Sequence, residues 1–192
     1  MADPNYESKG NGYQTPEEIY KPILDFIGVH TFDYDVCCSE FNIPSDRYLT
    51  KNKLYEVYDE EREYFIDGGL NENWSGDCWL NPPWNKTKIW LKKAFNEVEE
   101  NEYCEAWCCI PGDRMNNKYF QKMLNENKNW FGVFLSGKFN FYNPEASKEV
   151  NNKNKTNGGL NTPVLILYIG NKSKEYEKRW REEMPIPGIV FN

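Results

Sequence analysis

Apolar and polar positions follow one another along the chain in patterns that predict alternating helices and strands. Apolar side chains spaced i, i+3, i+4 and i+7 predict an amphipathic helix over residues 88–101. Apolar runs bounded by turn residues predict strands at 31–38, 76–80, 104–110, 130–135 and 163–169. This order is typical of an α/β domain with a mostly parallel central sheet flanked by helices. Ligands of such domains bind beyond the carboxyl ends of the strands.

The first helix has clear start signals in the sequence. Thr15 suits the N-cap position, Pro16 suits the first helical position, and Glu18 lies three residues after Thr15, so the sequence predicts a capping box. Pro22 lies inside the same apolar pattern. Because proline lacks the N–H that a helix needs, we expect it to kink or split this helix.

The chain is expected to consist of a short tail and one domain. Residues 1–12 are small, polar and glycine-containing, which predicts a flexible N-terminal tail, and residues 13–192 are expected to form a single domain. Residues 143–161 are rich in Asn, Lys and Gly and almost without apolar side chains. They predict a long polar loop that is either functional or disordered.

Composition and charge narrow the class of protein. With 192 residues, 39% apolar and 16% aromatic, the chain can bury the core of one domain. It contains no apolar run long enough for a membrane and no signal-peptide pattern, so we expect a cytoplasmic protein, or one of the host cytoplasm or nucleus if it is viral. The six cysteines form no C-x-x-C pair, which favours a reducing compartment and no metal site. At a net charge of −7, contact with nucleic acid requires a local basic patch.

The segment Asn81-Pro82-Pro83-Trp84, directly after the predicted strand at 76–80, suggests a chemical role. Neither proline has an N–H, so the Pro82 carbonyl is held in an extended turn where it can accept a hydrogen bond from a ligand. The Asn81 side-chain oxygen can converge on the same point. Two neutral acceptors suit an amino group that is to act as a nucleophile, and Trp84 offers a flat face for a planar ring.

The same segment has a simpler interpretation, in which Pro-Pro only ends the strand, Asn81 caps the turn and Trp84 is a buried anchor. The strand before the motif and the amphipathic helix after it favour the first interpretation. We therefore predict a site for a planar group that bears an amine.

A group of cations follows the motif. It contains four lysines with no acidic residue among them and one more distant arginine, namely Lys86, Lys88, Lys92, Lys93 and Arg114. These side chains could bind phosphate or could form an ordinary solvated helix face, and the sequence gives the two interpretations nearly equal weight.

Several blocks of the chain match a known family in order and spacing. They are Gln14–Pro16, Phe32–Cys37, Trp74–Trp84, Trp90–Ala94, Ile110–Arg114 and Gly137–Phe141. Through these blocks, which are spread over most of the chain, it resembles the phage-type DNA adenine methyltransferases. The resemblance implies a Rossmann-like fold, S-adenosylmethionine as methyl donor, DNA as partner, and transfer to the exocyclic amine of a base flipped into the pocket. It also implies that the catalytic motif is Asn81, Pro82, Pro83 and Trp84.

The resemblance further suggests which residues contact the donor. Where the family usually has a glycine-rich F-x-G-x-G loop, this chain has Asp35-Val36-Cys37-Cys38-Ser39. Asp35 and Cys37 are candidate donor contacts, and Asp35 either receives a hydroxyl or the amine of the donor or caps the strand end. Thr15 and Pro16 are candidate contacts to the methionine end of the donor, although the capping box already explains them.

The sequence predicts one function and leaves two alternatives open. The predicted function is methylation of the adenine amine in DNA. The first alternative is the same chemistry on another planar amine, such as cytosine, RNA or a glutamine side chain. It is favoured by Trp84, because the family usually has Tyr or Phe there and Trp is common in amino-cytosine methyltransferases. The second alternative is a catalytically silent nucleic-acid-binding module, which the missing glycine-rich loop favours.

Overall fold

A computed structural model describes residues 14–38, 42–50, 54–56, 68–141 and 163–192. The strands are β1 (Phe32–Asp35), β2 (Ser45–Leu49), β3 (Leu54–Glu56), β4 (Gly76–Leu80), β5 (Cys104–Pro111), β6 (Trp130–Leu135), β7 (Val164–Ile169) and β8 (Gly188–Phe191). The α-helices are α1 (Glu17–Ile27), α2 (Thr87–Glu100), α3 (Lys118–Glu126) and α4 (Ser173–Glu183), and short 3-10 helices span Trp84–Lys86 and Gly112–Asn116. The predicted tail at 1–12 and the predicted loop at 143–161 lie outside the described residues.

The described strands form one sheet with the order β3-β2-β1-β4-β5-β7-β6-β8. The pairs β1–β2, β1–β4 and β4–β5 are parallel. The pairs β2–β3, β5–β7, β6–β7 and β6–β8 are antiparallel. The predicted α/β class is therefore confirmed, but the prediction of a mostly parallel sheet is wrong. The reason is that β3, β7 and β8 run against the other described strands, and β7 lies between β5 and β6.

Helices cover both faces of the sheet. On one face, α1 and α4 pack on an aromatic core whose rings surround Trp107. On the other face, α2 and α3 pack on the apolar side chains of β4, β5 and β7. Six of the seven tryptophans lie in these two cores and are at most 7% exposed, whereas Trp84 is half-buried.

Several predicted elements are confirmed. The strands predicted at 76–80 and 130–135 have the same bounds in the structure, and the helix predicted at 88–101 spans Thr87–Glu100. β5 extends one residue beyond its predicted end, to Pro111. These elements agree because prolines or a clear apolar period mark their ends in the sequence.

The start of α1 differs from the prediction. The helix begins at Glu17, Pro16 has the N-cap position with φ −68° and ψ 151°, and no side chain caps it. The Thr15 hydroxyl has no hydrogen-bond partner among the described residues. The predicted capping box is therefore wrong, because Pro16 occupies the cap and Thr15 lies one residue outside it. Pro22 lies within an uninterrupted helix, so the helix is not split there.

Candidate active site

The Asn81-Pro82-Pro83-Trp84 motif forms the connection between β4 and α2. Pro83 has φ −52° and ψ 123°, and the 3-10 helix that starts at Trp84 leads directly into α2. Pro82 is buried, whereas Asn81, Pro83 and Trp84 are half-buried. The motif thus lies at the carboxyl end of a parallel strand, as predicted, and three of its four side chains remain partly accessible.

A cavity lies where the carboxyl ends of β1 and β4 meet. These strands are parallel neighbours, and at this point the strand order reverses, since β1 continues to β2 on one side and β4 continues to β5 on the other. Open α/β sheets bind ligands at such reversals. The cavity is small and partly open to solvent, and it is lined by Thr15, Asp35, Cys37, Asn42, Ile43, Trp79 and Asn81. The structure therefore brings the first residue of the motif together with three of the four predicted donor contacts.

Asp35 is the carboxylate of this cavity, and it is only 4% exposed. Its Oδ1 accepts a hydrogen bond from the Cys37 backbone N–H at 3.3 Å, and the Cys38 thiol donates to the same carboxylate. Both bonds favour the ionised form, but burial outweighs them and raises the pKa of Asp35 to about 7. A cationic ligand group beside this carboxylate would restore its ionised form.

Two more polar atoms at the cavity walls have no hydrogen-bond partner among the described residues. One is the Thr15 Oγ1, although the Thr15 carbonyl accepts a hydrogen bond from Asn42 Nδ2 at 3.2 Å. The other is the Trp79 Nε1. Thr15 and Trp79 are both at most 3% exposed. Buried polar atoms nearly always have a partner, so these two indicate a place where a ligand or water completes the site.

Of the two other predicted donor contacts, Cys37 lines the cavity and Pro16 does not. Cys37 lines the cavity, and burial raises the pKa of its thiol well above the usual value, with the charge of Lys86 opposing this shift. The thiol is therefore neutral and can contact a ligand without acting as a nucleophile. Pro16 is half-buried at the start of α1 and is not among the residues that line the cavity.

Both the ring and the backbone carbonyl of Trp84 contact other residues. Its ring meets the ring of Phe141 in a T-shaped contact, with centroids 5.8 Å apart and planes at 74°. Its backbone carbonyl accepts hydrogen bonds from Thr87 Oγ1 at 2.8 Å and from Arg114 Nη2 at 3.0 Å. These contacts orient Trp84, and the residue remains partly accessible to solvent.

The predicted cations separate into two groups in the structure. Lys86, Lys88 and Lys92 are exposed next to the motif. Lys93, in contrast, forms an ion pair with the buried Glu97, and the Lys93 side chain is only 17% exposed. Arg114 donates to the motif itself. The structure therefore leaves three of the five predicted phosphate contacts facing solvent.

Sequence reasoning missed several residues of the site. Asn42 and Ile43 line the cavity but belong to a stretch without any clear period, so no sequence signal marks them. Trp79 has the pattern of an ordinary core residue of β4. Phe141 lies inside a block that resembles the family, yet nothing in the pattern predicts its contact with Trp84.

The described residues contain neither a metal site nor a membrane-spanning helix. No group of three or more His, Cys, Asp or Glu side chains is placed to hold a metal ion there. All six cysteines, each of which is described, are free thiols. In the same part of the chain, no helix is long and apolar enough to cross a membrane.

Comparison with known proteins identifies the family. A sequence model described as DNA N-6-adenine-methyltransferase (Dam) matches residues 5–160. The DNA N-6-adenine-methyltransferase of Escherichia phage T1 is 23% identical over an alignment of 192 positions, which covers 92% of this chain and 69% of the relative. The family description names adenine, which decides between the adenine and cytosine amines. This chain therefore belongs to the DNA N-6-adenine-methyltransferase family, whose reaction is methylation of the N6 amine of adenine in DNA.

Proposed function

We propose that this methyltransferase takes its methyl group from S-adenosylmethionine, bound in the cavity between the ends of β1 and β4. The four parallel strands in the order β2-β1-β4-β5 support a Rossmann-like sheet, because dinucleotide-binding folds have the same order at their centre. All described elements from α1 to β8 belong to this sheet or pack on it, which supports a single methyltransferase domain over residues 13–192. The observation that carries the proposal is the cavity that Asp35 and Thr15 share with Asn81.

Asp35, Thr15 and Cys37 are the residues that would hold the donor. S-adenosylmethionine has a cationic amine and ribose hydroxyls, and the Asp35 carboxylate can accept hydrogen bonds from either. The raised pKa of Asp35 and the unpartnered Thr15 hydroxyl both favour such a ligand, because the carboxylate would gain a cationic neighbour and the hydroxyl a hydrogen-bond partner. When bound, the donor supplies a methyl group on a positively charged sulfur.

Asn81 and Pro82 hold the amine that receives the methyl group. The Asn81 side-chain oxygen and the Pro82 carbonyl accept the two N–H bonds of the adenine amine, which directs its nitrogen lone pair away from them. Trp84 stacks on the base. The amine of a paired base cannot reach a site at the carboxyl end of β4, so the target adenine must leave the duplex.

DNA is positioned by the exposed lysines next to the motif. Lys86, Lys88 and Lys92 neutralise backbone phosphates and so supply affinity without reading sequence. A DNA substrate also places the reaction in the compartment that contains DNA, the cytoplasm of a bacterial cell or the nucleus of a eukaryotic one.

The test combines product analysis with donor binding. Purified protein is incubated with labelled S-adenosylmethionine and unmethylated DNA, and the nucleosides are analysed; we expect N6-methyladenine as the labelled base. Asn81→Ala should abolish transfer while calorimetry shows nearly unchanged donor affinity, and Asn125→Ala, at an exposed asparagine of α3, serves as the control. If Asn81→Ala keeps more than about a tenth of kcat, a loss below roughly 1.4 kcal/mol, Asn81 has no catalytic role.

A further inference from the structure

Two of the four residues in the motif connection contribute no backbone donor. Pro82 and Pro83 have no N–H, so neither residue can donate a hydrogen bond to a neighbouring strand. Hydrogen bonds to two carbonyls of the segment help to hold it. The Pro83 carbonyl accepts from the Lys86 backbone N–H at 2.8 Å, and the Trp84 carbonyl accepts from two side chains.

Only one of these two side chains comes from another part of the fold. Thr87 Oγ1 reaches the Trp84 carbonyl from within the same turn, three residues away, at 2.8 Å. Arg114 Nη2 reaches it at 3.0 Å from the 3-10 helix that follows β5, thirty residues along the chain. Arg114 therefore ties the motif to the neighbouring strand of the sheet.

The segment that presents Arg114 is bonded to its neighbours. The Gly112 N–H donates to the Pro163 carbonyl at 2.7 Å, and a Cβ at Gly112 would lie 2.9 Å from the ring of Phe134. The Arg114 carbonyl accepts from the Asn117 N–H at 2.9 Å. The guanidinium also lies 3.9 Å from Asp113, and its side chain is 27% exposed. These contacts hold the guanidinium turned toward the protein, in a position where a phosphate contact would compete with the motif.

We propose that Arg114 is a positioning residue for methyl transfer. It fixes the backbone of Trp84, and thereby sets where the Trp84 ring and the Pro82 carbonyl meet the target adenine. This proposal rests on the proposed role of the motif. It assigns Arg114 a function different from the phosphate contact that the sequence suggested, because the side chain acts through the protein backbone and does not touch DNA.

The experiment separates positioning from phosphate binding. Arg114→Gln should lower kcat by about 10- to 100-fold while KM for DNA changes less than about twofold, since a displacement on the order of 1 Å can cost that much in rate. The slope of log affinity against log salt should stay unchanged. A phosphate contact would lower that slope by about 0.9. Arg114→Lys should recover most of kcat, because the contact uses a single N–H that an ammonium can replace.

Three further variants complete the test. Thr87→Val removes the other bond to the same carbonyl and should also lower kcat with KM unchanged. Arg181→Gln, at an exposed arginine of α4 paired with Glu177, controls for the loss of any guanidinium. Asn81→Ala is measured in parallel, and an unchanged kcat there would contradict the proposed function itself. If Asn81→Ala abolishes transfer as expected, any one of three results would overturn the role of Arg114 alone. These are an unchanged kcat in Arg114→Gln, a lowered salt slope in Arg114→Gln, and no recovery of kcat in Arg114→Lys.

Discussion

Replacing Asp35 with asparagine should stabilise the protein at neutral pH. Asp35 is 4% exposed, and burial raises its pKa from the ordinary 3.8 to about 7. At about 1.36 kcal/mol for each pKa unit, this difference corresponds to about 4 kcal/mol of unfavourable free energy when the buried carboxylate is ionised. Asparagine has nearly the same shape and carries no charge, so the variant does not have this penalty.

The sign of the pH dependence follows from which state binds the proton more tightly. The folded state does, because its pKa is the higher one. Below about pH 4 both states are protonated and the penalty is absent. Between about pH 4 and pH 7 the unfolded chain releases its proton while the folded chain keeps it, so the free energy of unfolding falls as pH rises. Above pH 7 the full penalty applies, and the difference between variant and wild type should grow by roughly 3 kcal/mol from pH 5 to pH 8.

Urea unfolding at pH 5 and pH 8, without donor, measures this difference. Asp113→Asn is the control for removal of a solvent-exposed carboxylate, because the Asp113 side chain is 56% exposed. Equal differences between Asp35→Asn and wild type at both pH values would refute the assignment of a buried, raised carboxylate. Calorimetry on the same variant should show weakened binding of S-adenosylmethionine, because the amide no longer offers a charge to the donor amine.

The remaining predictions concern the other parts of the site. Thr15→Val should weaken donor binding by roughly 0.5–1.5 kcal/mol in calorimetry, the net contribution of one hydrogen bond, without the loss of stability that removal of a helix cap causes. Unchanged donor binding with a loss of stability would instead indicate that Thr15 acts as a helix cap. Trp84→Ala should weaken productive DNA binding by roughly 1–3 kcal/mol and Trp84→Tyr much less, whereas equal damage would identify Trp84 as a core residue. The double variant Lys86→Gln and Lys92→Gln should lower the slope of log DNA affinity against log salt by up to about 2. Lys93→Gln should leave this slope unchanged and lower the urea midpoint. A changed slope in the single variant Lys93→Gln would contradict the ion pair with Glu97.

Local signals in the sequence were sufficient for the elements that lead into the site. β4 ends at its predicted residue because two prolines remove the donors that a further ladder needs, and α2 is found because its apolar period is strong. Lys93 was grouped with the phosphate contacts although Glu97 lies four residues later, the spacing of a helical ion pair. That spacing was the available signal, and it would have separated Lys93 from the exposed lysines.

The features that the sequence did not predict depend on contacts between residues that are distant in sequence. The capping-box rule fits Thr15, Pro16 and Glu18, but it considers only residues close in sequence. It therefore cannot predict that Thr15 lines a cavity at the ends of β1 and β4. The direction of β7 cannot be predicted from the sequence either, because a fully apolar strand has the same pattern in either orientation. α4 was missed because only Tyr176 and Trp180 supply large buried side chains on an otherwise polar helix.

The distribution of the tryptophans has a consequence for optical measurements. Six of the seven indoles lie within the cores, and the half-buried one is Trp84, in the motif. A collisional quencher dissolved in water therefore reaches the Trp84 fluorescence far more readily than that of the other six. Under the proposed function, the quenchable part of the emission reports on the surface where the target base would stack. Trp84 would then be an intrinsic reporter for binding of the base, and no dye or engineered label has to be attached.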